Sequence, residues 1–164
     1  MSAAIVLATA EDTRTLGARV AQLVRAGDLI VLDGPLGAGK TVFVQGLGAG
    51  LGAQGQVTSP TFVIARVHEG GRLPLVHVDA YRLTGRLEID DLDLDTDLAG
   101  LSGAVVVVEW GAGLVEGLSD AHLRVQLSRG EGGQDEQGER TAVLYPVGGD
   151  WDQRLADAGL AVAS

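Results

Sequence analysis

The chain has 164 residues, 46% of them hydrophobic, with no cysteine and a formal charge of −10. This excludes disulfide and thiolate-metal chemistry, and the negative charge opposes tight, unaided binding to nucleic acid, which needs a basic surface. No run approaches the roughly 18 apolar residues of a membrane span and the first residues lack the pattern of a signal peptide, so a single cytoplasmic domain over residues 1–164, with no membrane partner, is the expectation.

Ile5-Val6-Leu7 reads as a short first strand. Residues 11–26 follow as a helix, because Leu16, Val20, Leu23 and Val24 fall on one face at helical spacing, and Gly27-Asp28 ends it. Leu29 to Leu32 is a short apolar run, read as a buried strand. It feeds Gly34-Pro35-Leu36-Gly37-Ala38-Gly39-Lys40-Thr41, which fits the phosphate-loop pattern G-x-x-x-x-G-K-[ST]. A helix is expected from Gly39 to about Leu51, closed by Gly52. Gln56 to Thr61 is a polar segment around Pro60. Phe62 to Val67 and Leu73 to Val78 read as paired strands, joined through Glu69-Gly70-Gly71. Residues 86–101 are acidic and helical in pieces. Ala104 to Val108 is wholly apolar and rich in β-branched residues, hence a buried central strand. Leu123 to Leu127 and Thr141 to Val147 are two later strands, separated by a glycine- and charge-rich loop over 128–140. Asp150-Trp151 opens a short last helix. Strands alternating with helices predict an α/β fold: a three-layer P-loop NTPase-like sandwich with a mostly parallel central sheet plus antiparallel strands.

Lys40 is the sole lysine; the other eleven basic residues are arginines. A slim ammonium suits the outer phosphates of a nucleoside triphosphate, whereas the wide guanidinium fork does not fit a narrow loop. The loop's glycines free backbone N–H groups to wrap phosphate, and the helix N-terminus adds positive potential. Gly37, Ala38, Gly39, Lys40, Thr41 and Val42 are therefore the candidate phosphate contacts, with the Thr41 hydroxyl placed for Mg²⁺. Two acids, Asp79 and Glu109, each end a buried strand. Parallel sheets bind ligands at the carboxyl ends of their strands, so one acid can hold Mg²⁺ and the other can orient an attacking water; each can equally be the first polar residue after a strand. Ser59 and Thr61 offer hydroxyls on a rigid turn that can respond to a γ-phosphate. His77 shares a face with Asp79 by alternation and also reads as a packed core histidine. Trp110 can be core or can cover the nucleotide. Arg82, Arg129 and Arg140 can approach phosphates. The acidic run from Glu88 to Asp97 is a solvated face or a docking surface. With no asparagine in the chain, a guanine-reading N-K-x-D motif is impossible, which favours ATP over GTP.

Taken together these stretches resemble the TsaE family, the small bacterial ATPases of tRNA threonylcarbamoyladenosine synthesis. The resemblance rests on Gly34 to Thr41; on Ser59-Pro60-Thr61-Phe62; on His77-Val78-Asp79-Ala80-Tyr81-Arg82-Leu83; and on Val108-Glu109-Trp110, in that order and spacing. Pro35 and Gly111-Ala112 depart from the usual pattern without touching the phosphate-binding atoms. The resemblance implies a P-loop ATPase domain using ATP and Mg²⁺. Lys40 would bind phosphate, Thr41 the metal, and Asp79 and Glu109 the metal and water side. Ser59 and Thr61 would form a nucleotide-responsive segment, with Thr9 or Thr13 near the adenine; the 128–140 loop aligns poorly with the family, so Arg140 as a nucleotide contact rests on its place beside that loop alone. It also implies a TsaB–TsaD heterodimer as partner, with tRNA met only indirectly through that complex. A small-molecule kinase and a non-hydrolysing nucleotide-dependent interaction module are the alternatives.

Overall fold

The computed structural model describes residues 4–34, 39–52, 65–68, 71–79, 104–109, 121–129 and 140–160. Their elements are β1 (Ile5–Leu7), α1 (Ala10–Ala21), β2 (Leu29–Asp33), α2 (Lys40–Leu51), β3 (Ala65–His68), β4 (Leu75–Asp79), β5 (Val105–Glu109), β6 (His122–Arg129), β7 (Arg140–Val147) and α3 (Trp151–Asp157). The seven strands form one sheet in the order β1-β7-β6-β2-β5-β4-β3. The central four, β6-β2-β5-β4, are parallel. β3, β7 and β1 join by antiparallel pairing. This is the expected mixed α/β fold, including the β3–β4 pairing.

The strand sequences explain their places. β5 is Val-Val-Val-Val-Glu and is buried at every position. Burial on both faces is what a central parallel strand needs. β6 alternates instead: Leu123, Val125 and Leu127 are buried, whereas Arg124, Gln126 and Ser128 are half-buried. Ile30, Leu32, Val105, Val107, Leu123, Val125 and Leu127 join residues of α1, α2 and α3 in one apolar cluster. Val31 and Val108 are also buried, on the opposite face of the sheet.

α1 differs from its expected span. It starts at Ala10, with Thr9 as N-cap in a reciprocal capping box with Asp12. It ends at Ala21, several residues early. Leu23 N–H turns back to the Val20 carbonyl at 2.9 Å, and the Arg72 guanidinium donates to the carbonyls of Ala21 and Val24. A distant arginine thus closes the helix before its apolar spacing runs out. Phe62 to Ile64, the acidic run over 86–101 and the loop interior over 130–139 lie outside the described residues.

α1 and α2 cross at glycine distance. A Cβ at Gly46 would lie 1.9 Å from the Arg14 carbonyl oxygen, and one at Gly17 would lie 2.2 Å from that of Phe43. Phe43, Val44, Leu47 and Leu51 of α2 are buried around this crossing. α3 packs beside the turn that follows α1. Trp151 and Leu155 are buried, and Arg154 lies 3.9 Å from the Trp151 ring centroid. Arg154 also donates to Leu23 O and pairs with Asp28 at 2.7 Å and Asp150 at 2.9 Å. Arg25 reaches Asp150 from the α1–β2 turn at 2.7 Å. The last helix therefore clamps the turn from which β2 departs. Among the described residues, no helix is long and apolar enough to cross a membrane.

Two predictions follow from these contacts. Alanine is preferred over glycine inside a helix by about 1 kcal/mol, yet Gly46→Ala should lower stability by about 2 kcal/mol or more, because backbone cannot yield to a methyl group at that distance. Urea denaturation measures it; a stabilised variant would mean that the helices do not cross this closely. For Asp150, desolvation acts to raise the pKa but is outweighed by hydrogen bonds and charge from Arg25 and Arg154, which hold the carboxyl below its usual range. A depressed carboxylate contributes stability above its unfolded pKa of about 4 and loses it as pH falls through the folded value. Asp150→Asn should therefore be less stable than the parent at neutral pH, with the gap closing below pH ~4; a gap unchanged across that range would refute the clamp's charge contribution.

Candidate functional site

β1 runs in the same direction as the four parallel strands, since it pairs antiparallel with β7 and β7 pairs antiparallel with β6. The ends of β1, β2, β4, β5 and β6 therefore share one edge of the sheet. That edge carries Thr9 after β1, Gly34 after β2, Asp79 at the end of β4 and Glu109 at the end of β5. β7 begins there with Arg140, opposite both Arg129 and Leu7. The carboxyl edge is where an open α/β sheet takes its ligands.

The N-terminus of α2 is built to receive an anion. Gly39 is its N-cap, in a left-handed conformation at φ 100°, ψ 17°, with no side-chain cap bond and no acid in the first turn. α1 is the contrast: Thr9 and Asp12 satisfy its first donors, and Glu11 adds a second negative charge. An uncapped N-terminus presents outward N–H groups and the positive end of the helix dipole. Lys40 follows at once, 6% exposed, and its ammonium donates to the Gly34 carbonyl at the other end of the loop. Thr13, also buried, stands beside the loop: its Cγ2 would be 3.4 Å from a Cβ at Gly39. Thr9 is committed to capping α1.

The acids lie one and two strands away. Glu109 pairs in register with Leu32 of β2 on one side and Asp79 of β4 on the other. The Asp79 and Glu109 backbones are thus neighbours across a parallel pairing, about 4.8 Å apart in the hydrogen-bonding direction. Glu109 is buried and meets the enclosed His77, whose Nε2 is hydrogen-bonded to Glu109 Oε2. An ionised carboxylate only accepts, so opposite ionised Glu109 it is Nε2 that carries the hydrogen. Asp33, the last residue of β2, accepts from Gly34 N–H at 3.1 Å and pairs with Arg124 at 3.1 Å. Arg124 in turn sits 5.1 Å from the Tyr145 ring centroid.

Among the described residues there is no group of three or more His, Cys, Asp or Glu side chains able to cage a metal. Mg²⁺ uses one or two carboxylates together with substrate phosphates and water, and does not depend on such a cage. A half-buried Thr41 on α2 and a buried glutamate at the end of the next strand are hard oxygen donors of that kind.

The family model for Threonylcarbamoyl adenosine biosynthesis protein TsaE matches residues 7–140. The chain belongs to the TsaE family. Among named TsaE proteins, one from Streptomyces coelicolor is 60% identical over 122 residues, covering 73% of this chain and 80% of its own length. Another, from Bacillus subtilis, is 39% identical over 127 residues, covering 77% of each chain. The crystal structure of Bacillus subtilis YdiB superimposes with a TM-score of 0.71 at 29% identity, covering 95% of this chain and 93% of that one. The TsaE match takes in every motif stretch of the sequence and ends at the first residue of β7.

Of the candidate residues, Gly39, Lys40, Thr41, Val42, Thr9, Thr13, Glu109 and Arg140 are placed along or beside the carboxyl edge, and Asp79 is placed there by its backbone. Gly37, Ala38, Ser59, Thr61 and Trp110 lie outside the described residues. Two contacts escaped the sequence reading. His77 and Glu109 are 32 residues apart, and only the strand register brings them together. Asp33 and Arg124 are 91 apart; the signal available was an acid directly before the loop and an arginine on the polar face of an alternating strand.

Gly39→Ala should cost about 1–2 kcal/mol through its left-handed backbone. The space beside Thr13 is an ordinary contact, so shortening Thr13 to Ser should not recover the loss. Thermal melts of the single and double variants test this; recovery would place the strain in the side-chain contact instead.

Proposed function

We propose that this chain hydrolyses ATP with Mg²⁺ as the ATPase component of the assembly that makes threonylcarbamoyladenosine on tRNA, driving turnover of a TsaB–TsaD pair. The observation that carries the reading is the uncapped N-terminus of α2, with Lys40 in its first turn, beside the strand end that bears Glu109. The N–H groups of Gly39 to Val42 and the Lys40 ammonium bind the outer phosphates. Thr41 with Asp79 or Glu109 would hold Mg²⁺, which when bound offsets charge on those phosphates. A strand-end carboxylate orients the water for in-line attack, and the same group accepts its proton.

The formal charge of −10 fits a subunit that leaves the RNA to its partners. The names of its relatives point to the same pathway. Ser59 and Thr61 supply the hydroxyls through which γ-phosphate changes a docking surface, and Thr9 or Thr13 would lie near the adenine. The work is cytoplasmic, where the pathway's tRNA substrate is found.

Lys40→Ala should abolish hydrolysis while circular dichroism stays unchanged, because alanine is a good helix former. Glu109→Gln should retain nucleotide binding and lose hydrolysis by about a hundredfold or more. The deciding experiment reconstitutes the protein with TsaB–TsaD, tRNA, ATP and a threonylcarbamoyl donor and counts modified adenosine over several turnovers. Undiminished modification without this chain, or with its Lys40→Ala form, would refute the proposal. Phosphate transfer to a small metabolite would replace it with a kinase.

A further inference from the structure

The phosphate chemistry above gives His77 no task, although His77 is the direct partner of Glu109. The residue is completely enclosed on β4, two positions before Asp79 and opposite Val107 in the register. Leu75 and Val107, on the same face of the sheet, belong to the apolar core. A leucine would suit that environment better than an imidazole. Among the described residues Nδ1 of His77 is buried with no hydrogen-bond partner, and an orphaned polar atom destabilises the fold. Against this stands one interaction, the bond from Nε2 to Glu109 Oε2. A glutamate side chain has three rotatable bonds, and unheld it samples several rotamers. With Oε2 gripped from within the sheet, the carboxylate has one orientation and Oε1 is the oxygen left to act at the carboxyl edge.

We propose that His77 is a positioning residue for hydrolysis: by holding Glu109 Oε2 it fixes the direction in which Oε1 meets the attacking water. The proposal rests on the ATPase reading. It requires only a hydrogen-bond donor at Nε2 and moves no proton to or from the imidazole. Because Lys40 and the α2 N-terminus hold the phosphates, removing the donor changes the rate of the chemical step and not the affinity for nucleotide.

The test measures kcat, KM and nucleotide affinity for the full chain, with its partners, in His77→Leu, His77→Gln and His77→Asn forms. His77→Leu fills the space and removes the donor. Its kcat should fall about tenfold to a hundredfold, the range for lost outer-shell partners, with affinity within about twofold of the parent. His77→Gln carries an amide N–H close to the place of Nε2 and should regain most of the rate. His77→Asn falls one methylene short and should not. In a Glu109→Gln background, His77→Leu should cause no further loss. An unchanged kcat in His77→Leu overturns the proposal, as does a loss that lies wholly in affinity. If His77→Leu does not fold, equal rates in the Gln and Asn forms overturn it. Hydrolysis that is sensitive to Lys40→Ala but indifferent to His77 defeats the positioning role alone. No hydrolysis by the parent, with or without partners, defeats both readings.

Discussion

Where α1 crosses α2 there is no room for a side chain, and the placing of the α2 N-terminus depends on that fact. A helix positions a terminal lysine only as well as the helix itself is held. Gly17 and Gly46 let two backbones meet, and close-packed backbone leaves little freedom to slide or rotate. The contact fixes the direction in which the first N–H groups of α2 point. It also brings Thr13 of α1 beside Gly39, so the start of one helix is referenced to the start of the other. The cost of two glycines in helices is offset by burial of Phe43 and Leu47 around the crossing.

The parallel core supplies a second kind of order. β2, β5 and β4 end at the same edge because their registers align Leu32 with Glu109 and Glu109 with Asp79. One displaced residue in β5 would send Glu109 to the opposite face. The valine run that precedes it cannot resist such a slip by side-chain identity, since each position offers the same shape. The polar contact at the end of the strand can: only one register sets Glu109 against His77. A buried polar pair of this sort gives specificity of pairing where uniform hydrophobic packing does not.

The phosphate-loop motif stands out in the sequence because its requirements are contiguous. Glycines, lysine and threonine must follow one another, and an apolar run and a helix must flank them. β2 and β5 were legible as buried strands through their lack of alternation, and the acids through their position at the ends of apolar runs. Sheet order was not, since nothing in the local pattern of β6 tells it to lie beside β2. The end of α1 was misplaced because periodicity at Leu23 and Val24 reports burial, which persists in the turn, whereas the helix is closed by Arg72 from 51 residues away in the chain. The His77–Glu109 contact needed register, a property of two strands together. Alternation could say that His77 and Asp79 share a face, and stopped there.

A chain whose only side-chain amine is Lys40 carries a built-in reporter. Acylating reagents that sample every lysine of an ordinary protein have one internal target here, in the first turn of α2, tethered to Gly34 and almost wholly shielded. Mass gained at that nitrogen would measure how often its contact with Gly34 breaks, with no background from other lysines to subtract.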